Sequence, residues 1–318
     1  MACNGTNARM APLIDGTVKP ENIELEFRTV NNLYYDNLHF DQLDLSEMSI
    51  SETFIARERR QKLGGGKWDW SGIPGFLARG HGWVGIYANE ASGIKTLADL
   101  NGKRVGIPDF EMTYALWFRI VLKDLYGIDA SDITWFNMRQ RGDSHGLELG
   151  LDDDPPVGVK LHFLKPDQDP VAMLASGELD AAPVPGPKAA ETPQLKRLLP
   201  DRGKEVISQF FQKTGFHQPN HHFIVQNRVL KEHPWVATAF FEALQRSKAV
   251  AYERAGAEAK ADEGTGLGPE LFGADPYPLG IRAMRPTLER AIRGLSEQGL
   301  LKEPATIEDV YHPSLLDT

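Results

Sequence analysis

The sequence predicts an α/β fold with mostly parallel sheets, and three observations lead there. Short apolar, β-branched segments alternate with amphipathic helical ones along most of the chain. The clearest alternation is a buried segment at 104–107 running through Pro108 and Asp109 into a stripe of Met112, Leu116, Ile120 and Leu125, a strand feeding a long helix. The third is size: 318 residues, 41% apolar and 25% charged, suffice for two cores, since single cores stop growing near about 250–300 residues.

Taken in order, 23–30 alternates with Ile23, Leu25 and Phe27 on one face and reads as a strand. Residues 43–49 read as a short strand entering a helix through 55–60. The stretch 63–70 holds three consecutive glycines and is a loop; no P-loop Lys-Ser pair follows it. Residues 82–89 are apolar, β-branched and aromatic, a strand. Thr96 caps a short helix ending at Gly102, ahead of the 104–107 strand and the helix opened by Pro108 and Asp109. A strand-to-helix junction of that kind is a natural anion site, because the first helical N–H groups lack internal partners. Strands follow at 132–136 and 159–164, separated by a polar, solvated loop at 140–156 that contains Asp152, Asp153 and Asp154. A short helix at 170–176 stops at Gly177, then come a strand at 179–182 and a helix at 188–199. Residues 222–225 are a strand, and 235–253 and 279–298 are long amphipathic helices. Two halves joined by a pair of crossing strands fit this pattern.

Composition narrows function. Lys+Arg total 35 against 44 Asp+Glu, a net charge of −9, which argues against a nucleic-acid partner because phosphate binding needs clustered cations. The single cysteine, Cys3, excludes an intrachain disulfide and any Cys-based zinc or iron–sulfur centre. No stretch approaches the ~18–20 apolar residues of a membrane helix, so no membrane partner is expected. The opening Met-Ala-Cys-Asn-Gly has neither a basic nor an apolar leader region, and a cytoplasmic location is expected. There is no Gly-x-Ser-x-Gly and no Walker sequence.

Two segments, LADLNGKRVGIP (97–108) and MLASGELDAA (173–182), resemble signposts of the type II periplasmic-binding-protein fold. PLIDGTVKPENIELEF (12–27), SEMSIS (46–51), GIPDFEMTYALWFRIVLKDLYGI (106–128) and KEHPWVATAFFEAL (231–244) resemble the 4,5-dihydroxyphthalate decarboxylase family over nearly the entire chain. The resemblance implies a two-lobed type II periplasmic-binding-protein-like fold with a central cleft. Residues 1–87 and 222–318 would form one lobe and 88–221 the other, inserted between two hinge strands. It also implies non-oxidative loss of CO2 from a dihydroxylated aromatic diacid, with no organic cofactor. Residue by residue, it carries over Glu47, Ser49 and Ser51 after the second strand, Arg79 before the hinge, Glu111 with Met112 and Thr113 at the helix opening, and His221 at the returning strand. Departures are equally visible. Where the family reads Tyr-Asp-Arg-Thr this chain has Asn7, Ala8, Arg9 and Met10; an Arg-His pair becomes Gly82 and Trp83; and an arginine near 182–187 gives way to Pro183, Pro185 and Pro187. Fewer cations would suit a monocarboxylate or a less polar ring.

Decarboxylating an electron-rich ring requires a proton for the carbon that bears the carboxylate, and stabilisation of anionic oxygens. A group titrating near neutrality suits the first task. His221 is the leading acid/base candidate, against a buried histidine satisfied by backbone. Glu47 is its partner, against a strand-end carboxylate that caps the next helix, and Glu111 a further acid/base candidate, against a first-turn acid placed by the helix dipole. Arg79 and Arg9 are candidate carboxylate anchors, against plain ion pairs. Thr113 and Ser49 are candidate ligands, and Trp83, with Trp68 and Trp70, a candidate stacking surface, against core packing. His217, His221 and His222 have a spacing that could hold a metal, but Pro219 interrupts any shared helix face and an extended strand sends 221 and 222 to opposite sides. No metal site is therefore assigned, with a divalent ion the weaker alternative. His39, His145, His162, His233 and His312 are expected to be surface or structural. The competing reading is a solute-binding protein for a small organic acid. A small aromatic carboxylate is the expected partner; self-association is left open.

Overall fold

The computed structural model describes residues 1–3, 7–40, 42–184, 186–262 and 264–318; Pro185 lies outside them. Its strands are β1 (Leu45–Ser49), β2 (Trp70–Ile73), β3 (Ile86–Asn89), β4 (Arg104–Ile107), β5 (Thr134–Asn137), β6 (Lys160–Phe163), β7 (Ala181–Pro183), β8 (Leu195–Arg197) and β9 (His221–Gln226). Its principal helices are α1 (Leu33–His39), α2 (Ile50–Lys62), α3 (Thr113–Tyr126), α4 (Lys204–Thr214), α5 (Val236–Ala255) and α6 (Ile281–Glu297). Two compact units divide the chain, one made of Met1–Gly80, His217–Ile292 and Glu303–Thr318, the other of His81–Phe216 and Arg293–Lys302. These boundaries fall at 80/81 and 216/217, against the 87/88 and 221/222 that the sequence suggests, and 293–302 goes with the second unit.

The first unit holds a three-stranded sheet in the order β1-β9-β2, with β9 antiparallel to both neighbours. Helix α5 lays Val236, Ala237, Phe240, Phe241 and Leu244 into a core with Leu45, Ile73, Phe223 and Val225. The approach is close enough to require Gly75, where a Cβ would sit 2.3 Å from Leu244 Cδ1. The second unit holds a six-stranded sheet, β6-β5-β4-β7-β3-β8. The pairs β4/β5, β5/β6 and β4/β7 are parallel and β3/β7 and β3/β8 antiparallel, a mixed and mostly parallel α/β sheet.

Several local expectations need correction. Residues 23–30 are extended but not a strand: Ile23, Leu25 and Phe27 do pack half-buried on the first core, while among the described residues the backbone bonds only to Met1, which accepts from Arg28 N at 2.9 Å. Alternation reports a buried face; it does not supply a ladder partner. In 82–89 only β3 is strand, and Gly82–Gly85 is a 3-10 turn. The helix expected at 188–199 stops at Ala190 and gives way to β8, because Pro193 interrupts helical bonding and restricts Thr192 before it. Helix α3 starts at Thr113 rather than Asp109. The polar 140–156 stretch is not one solvated loop, since Ser144, His145, Leu149 and Leu151 are buried. Among the described residues, no helix is long and apolar enough to cross a membrane.

Candidate functional site

In the first unit the ladder sets out the site. Leu45 faces Val225, Glu47 faces Phe223 and Ser49 faces His221, and residues directly opposite share a sheet face. That face is therefore apolar at the Leu45 end and polar at the Ser49 end. There Glu47 Oε1 lies 2.9 Å from His221 Nδ1, with the carboxylate side chain 4% exposed and the imidazole 21%. Tyr34 of α1 places its hydroxyl 3.0 Å from the same nitrogen, and the two rings lie 4.5 Å apart. Among the described residues no hydrogen bond engages His221 Nε2. Ser49 Oγ is 3.4 Å from Ser51 Oγ. One helical turn after Tyr34, Asn37 Nδ2 donates to Ser46 Oγ at 3.0 Å and to the Glu47 carbonyl at 2.9 Å, tying α1 to β1.

The opposite face of β9 carries His222, fully buried. Thr53 donates its hydroxyl to the Ser49 carbonyl at 2.8 Å, so at 2.9 Å from His222 Nε2 its oxygen can only accept. His222 is thereby the Nε2–H tautomer, and Nδ1 accepts from the Tyr311 hydroxyl at 3.0 Å. Burial, with His221 adding to it, pushes the His222 pKa down to about 3; burial raises that of Tyr311 well above its ordinary value. The chain from Tyr311 through His222 and Thr53 to Ser49 thus stays neutral and fixes the end of β1. His217 has other partners again: its ring stacks on Phe272 at 3.7 Å and Nδ1 donates to the Pro276 carbonyl at 2.8 Å. The three histidines have three different environments.

Both arginines expected to anchor a carboxylate are engaged with main-chain oxygens. Arg9 donates from Nε to Leu77 O and from Nη1 to Ala259 O, each at 2.9 Å, and lies 3.7 Å over the Tyr277 ring. Arg79 donates from Nη1 to His217 O and from Nη2 to Pro278 O at 3.3 Å, leaving Nε as the donor without a partner among the described residues. Burial pushes its pKa down to about 10.

In the second unit, the turn between β4 and α3 gathers buried polar groups. Asp109 accepts from Ser144 Oγ at 2.8 Å and His145 N at 3.2 Å, with Arg139 Nη1 3.3 Å away. Burial raises its pKa to about 6, with Arg139 and His145 opposing. Thr113 begins α3 and Glu111 is fully buried just before it. Arg119 donates to Phe110 O and Gln298 Oε1, both at 2.6 Å; burial lowers its pKa to about 9 while Glu111 acts to raise it. A carboxylate oxygen of Glu111 and a ring nitrogen of His145 lie within 4.8 Å of each other. Trp83 is buried and stacks on Phe118 at 5.8 Å, so it serves the core. Gly82 lies under Tyr114, 3.1 Å from where a Cβ would be.

Of the residues singled out by sequence, the structure brings together Glu47, Ser49 and His221. Tyr34, Asn37, Tyr311 and Asp109 were not among the sequence candidates, and only packing brings them to their polar partners. A cavity of about 590 Å³ in the first unit, bounded by Met1, Ile23, Leu25, Leu45, Val225 and Trp235, includes none of the candidate residues. It opens at the Leu45–Val225 end of the ladder, while the polar cluster sits at the Ser49–His221 end.

Comparison with known proteins gives a consistent result. The chain is similar to the 4,5-dihydroxyphthalate decarboxylase of Comamonas testosteroni, 26% identical over 336 residues, covering 99% of this chain and 96% of that protein. It is similar to the 4,5-dihydroxyphthalate decarboxylase of Pseudomonas putida, 30% identical over 197 residues, covering 58% of this chain and 69% of that one. Among solved structures it is similar to the periplasmic sulfonate-binding protein SsuA of Methylobacillus flagellatus KT, with a TM-score of 0.52 and 13% identity over 98% of this chain and 91% of that one. At that identity the likeness speaks for the fold alone, and the fold is that of periplasmic binding proteins. No family model matches.

Proposed function

This chain belongs to the 4,5-dihydroxyphthalate decarboxylase family, whose named members are carboxy-lyases, and from that premise we propose that it removes CO2 from a hydroxylated aromatic carboxylate without oxidation. The observation that carries the mechanism is the Glu47–His221 pair, 2.9 Å apart at Nδ1. Glu47, as a carboxylate beside the ring, stabilises its charged form, and Nε2, outside the contacts with Glu47 and Tyr34, is the nitrogen that exchanges protons. In the reaction the ring carbon bearing the carboxylate takes the Nε2 proton. The electrons of the C–C bond return to the ring as CO2 leaves, and water reprotonates the neutral imidazole. The Ser49 and Ser51 hydroxyls supply hydrogen bonds for an anionic or phenolic oxygen.

The carboxylate side is assigned to Thr113, at the first turn of a 14-residue helix, where the helix dipole favours anions, with Arg79 contributing through Nε. Arg9 and Trp83 take no part in this scheme, and Glu111 is kept as a second acid. No organic cofactor enters it, and a cytoplasmic location and a small aromatic carboxylate partner belong to the same reading.

CO2 release from 4,5-dihydroxyphthalate and a panel of hydroxybenzoates, with and without chelator, tests it. Release that survives chelator supports the scheme as written, and release abolished by chelator adds a metal to it. No release, with thermal stabilisation by one of these acids, would replace the enzyme by a binding protein.

A further inference from the structure

The cavity of about 590 Å³ in the first unit holds none of the residues assigned to decarboxylation. Its volume is that of an ordinary small-molecule site, which runs from about 300 to 1,000 Å³. We propose that it is a second binding site, for a small organic cation: an amine or ammonium group carried on an apolar body. The site does not depend on the role given to His221.

Its walls divide into an apolar floor and a charged rim. Leu45, Val225 and Val236 line it and are buried, and Leu25 and Val229 line it half-buried. Leu45 and Val225 are cross-strand partners at one end of the β1–β9 ladder, so the sheet fixes that part of the floor. Beside them Trp235 lines the cavity with 44% of its surface exposed. It directly precedes α5, and the His233 ring packs against it at 4.8 Å and an interplanar angle of 71°. An exposed indole next to an apolar floor offers a ligand both apolar contact and, of the aromatic rings, the strongest attraction for a cation.

The charge of the rim sets the sign of the ligand. Arg28 is paired with Glu26 at 3.0 Å and Arg228 with Asp44 at 2.7 Å. The Met1 amine donates to the Glu26 carbonyl, and burial pushes its pKa below the usual amine value. Glu24 and Glu232 line the same cavity and have neither a hydrogen bond nor an ion pair among the described residues. With both guanidiniums matched, these two carboxylates favour a cation and oppose an anion. An ammonium on an apolar body meets every part of the site: its charge faces the carboxylates and the indole, and its body covers the floor.

The test uses three ligands of one shape: phenethylamine, phenethyl alcohol and phenylacetate, a cation, a neutral molecule and an anion. Each is titrated calorimetrically into the wild-type chain, Trp235→Ala, and a variant combining Glu24→Gln with Glu232→Gln. All three replaced side chains are exposed, and unchanged melting temperatures check that the variants fold. The expected result is saturable binding of the amine, weakened about tenfold in Trp235→Ala. The double variant weakens it by a similar factor and flattens its salt dependence, and the alcohol binds the wild-type chain about tenfold less tightly than the amine. His221→Gln binds the amine as wild type does, which separates this site from the reaction. No saturable binding of the amine below about 10 mM, equal affinity for amine and alcohol, unchanged binding in Trp235→Ala, or loss of binding in His221→Gln would each overturn the assignment. Phenylacetate binding that Trp235→Ala removes would make this an anion site, and self-association that Trp235→Ala removes would give the cavity to a second copy of the chain; either result also overturns it.

Discussion

His221 and His222 are neighbours on one strand and do opposite things. His221 stands at the polar end of one face of β9, with a fifth of its side-chain surface exposed, Nδ1 hydrogen-bonded to the Tyr34 hydroxyl and 2.9 Å from Glu47 Oε1, and Nε2 without a hydrogen bond among the described residues. His222 is fully buried on the other face, with both nitrogens engaged and its pKa pushed down to about 3. One side chain keeps a nitrogen outside the hydrogen bonds of the described residues, and the other engages both. The difference is set by strand alternation and by what each face meets, not by residue type.

The largest expected effect follows from removing the first of the two. His221→Gln lowers kcat by about 10²–10⁴, the range for a positioned acid or base, while the melting temperature stays within a degree or two of wild type. A variant that keeps turnover would take His221 out of the mechanism. Removing the second should act on stability instead. His222→Leu strands the buried Tyr311 hydroxyl and costs about 2–3 kcal/mol in denaturant unfolding, whereas His222→Gln, with one acceptor and one donor, recovers part of it. Equal losses in the two variants would show that the directed chain of bonds is not what matters.

Arg79 sharpens the same contrast between binding and bracing. Because its Nη atoms donate to His217 O and Pro278 O, Arg79→Met is expected to reduce stability by about 1–3 kcal/mol. A rise in KM with stability unchanged would instead make it a carboxylate anchor and nothing else.

The smallest effect is in the pH dependence of stability, where two buried groups oppose each other. His222 is held neutral in the fold, with a pKa lowered from 6.5 to about 3, so the unfolded chain gains a proton first. Its contribution is complete above about pH 6.5 and is lost as pH falls towards 3. Asp109 is raised from 3.8 to about 6, so the folded chain holds its proton longer, and stability falls as pH rises from about 4 to 6. In unfolding curves taken across pH 4–6, Asp109→Asn removes the loss on the rising side and His222→Gln the loss on the falling side. A variant whose curve keeps the wild-type slope would contradict the burial assigned to that group.

Much of the fold was legible because periodicity and punctuation agree. The 104–107 strand, the Thr96 cap and the Gly177 stop lie where the residues place them. The failures are tertiary. Nothing local tells that 23–30 has no partner strand, or that β9 runs between β1 and β2. At the site, Glu47, Ser49 and His221 could be named through the family resemblance, and alternation already separated His221 from His222. Tyr34 and Tyr311 could not, since they come from 187 and 89 residues away in the chain and only packing brings them in. For the arginines the sequence leaves the partner open for a related reason: a guanidinium looks the same in sequence whether it meets a substrate or a carbonyl.

The most direct test of the account is CO2 release by His221→Gln and His222→Gln measured side by side at a temperature where both are folded. The account predicts loss of turnover in the first and near-wild-type turnover per folded molecule in the second. The reverse pattern, or equal activity in both, would contradict it.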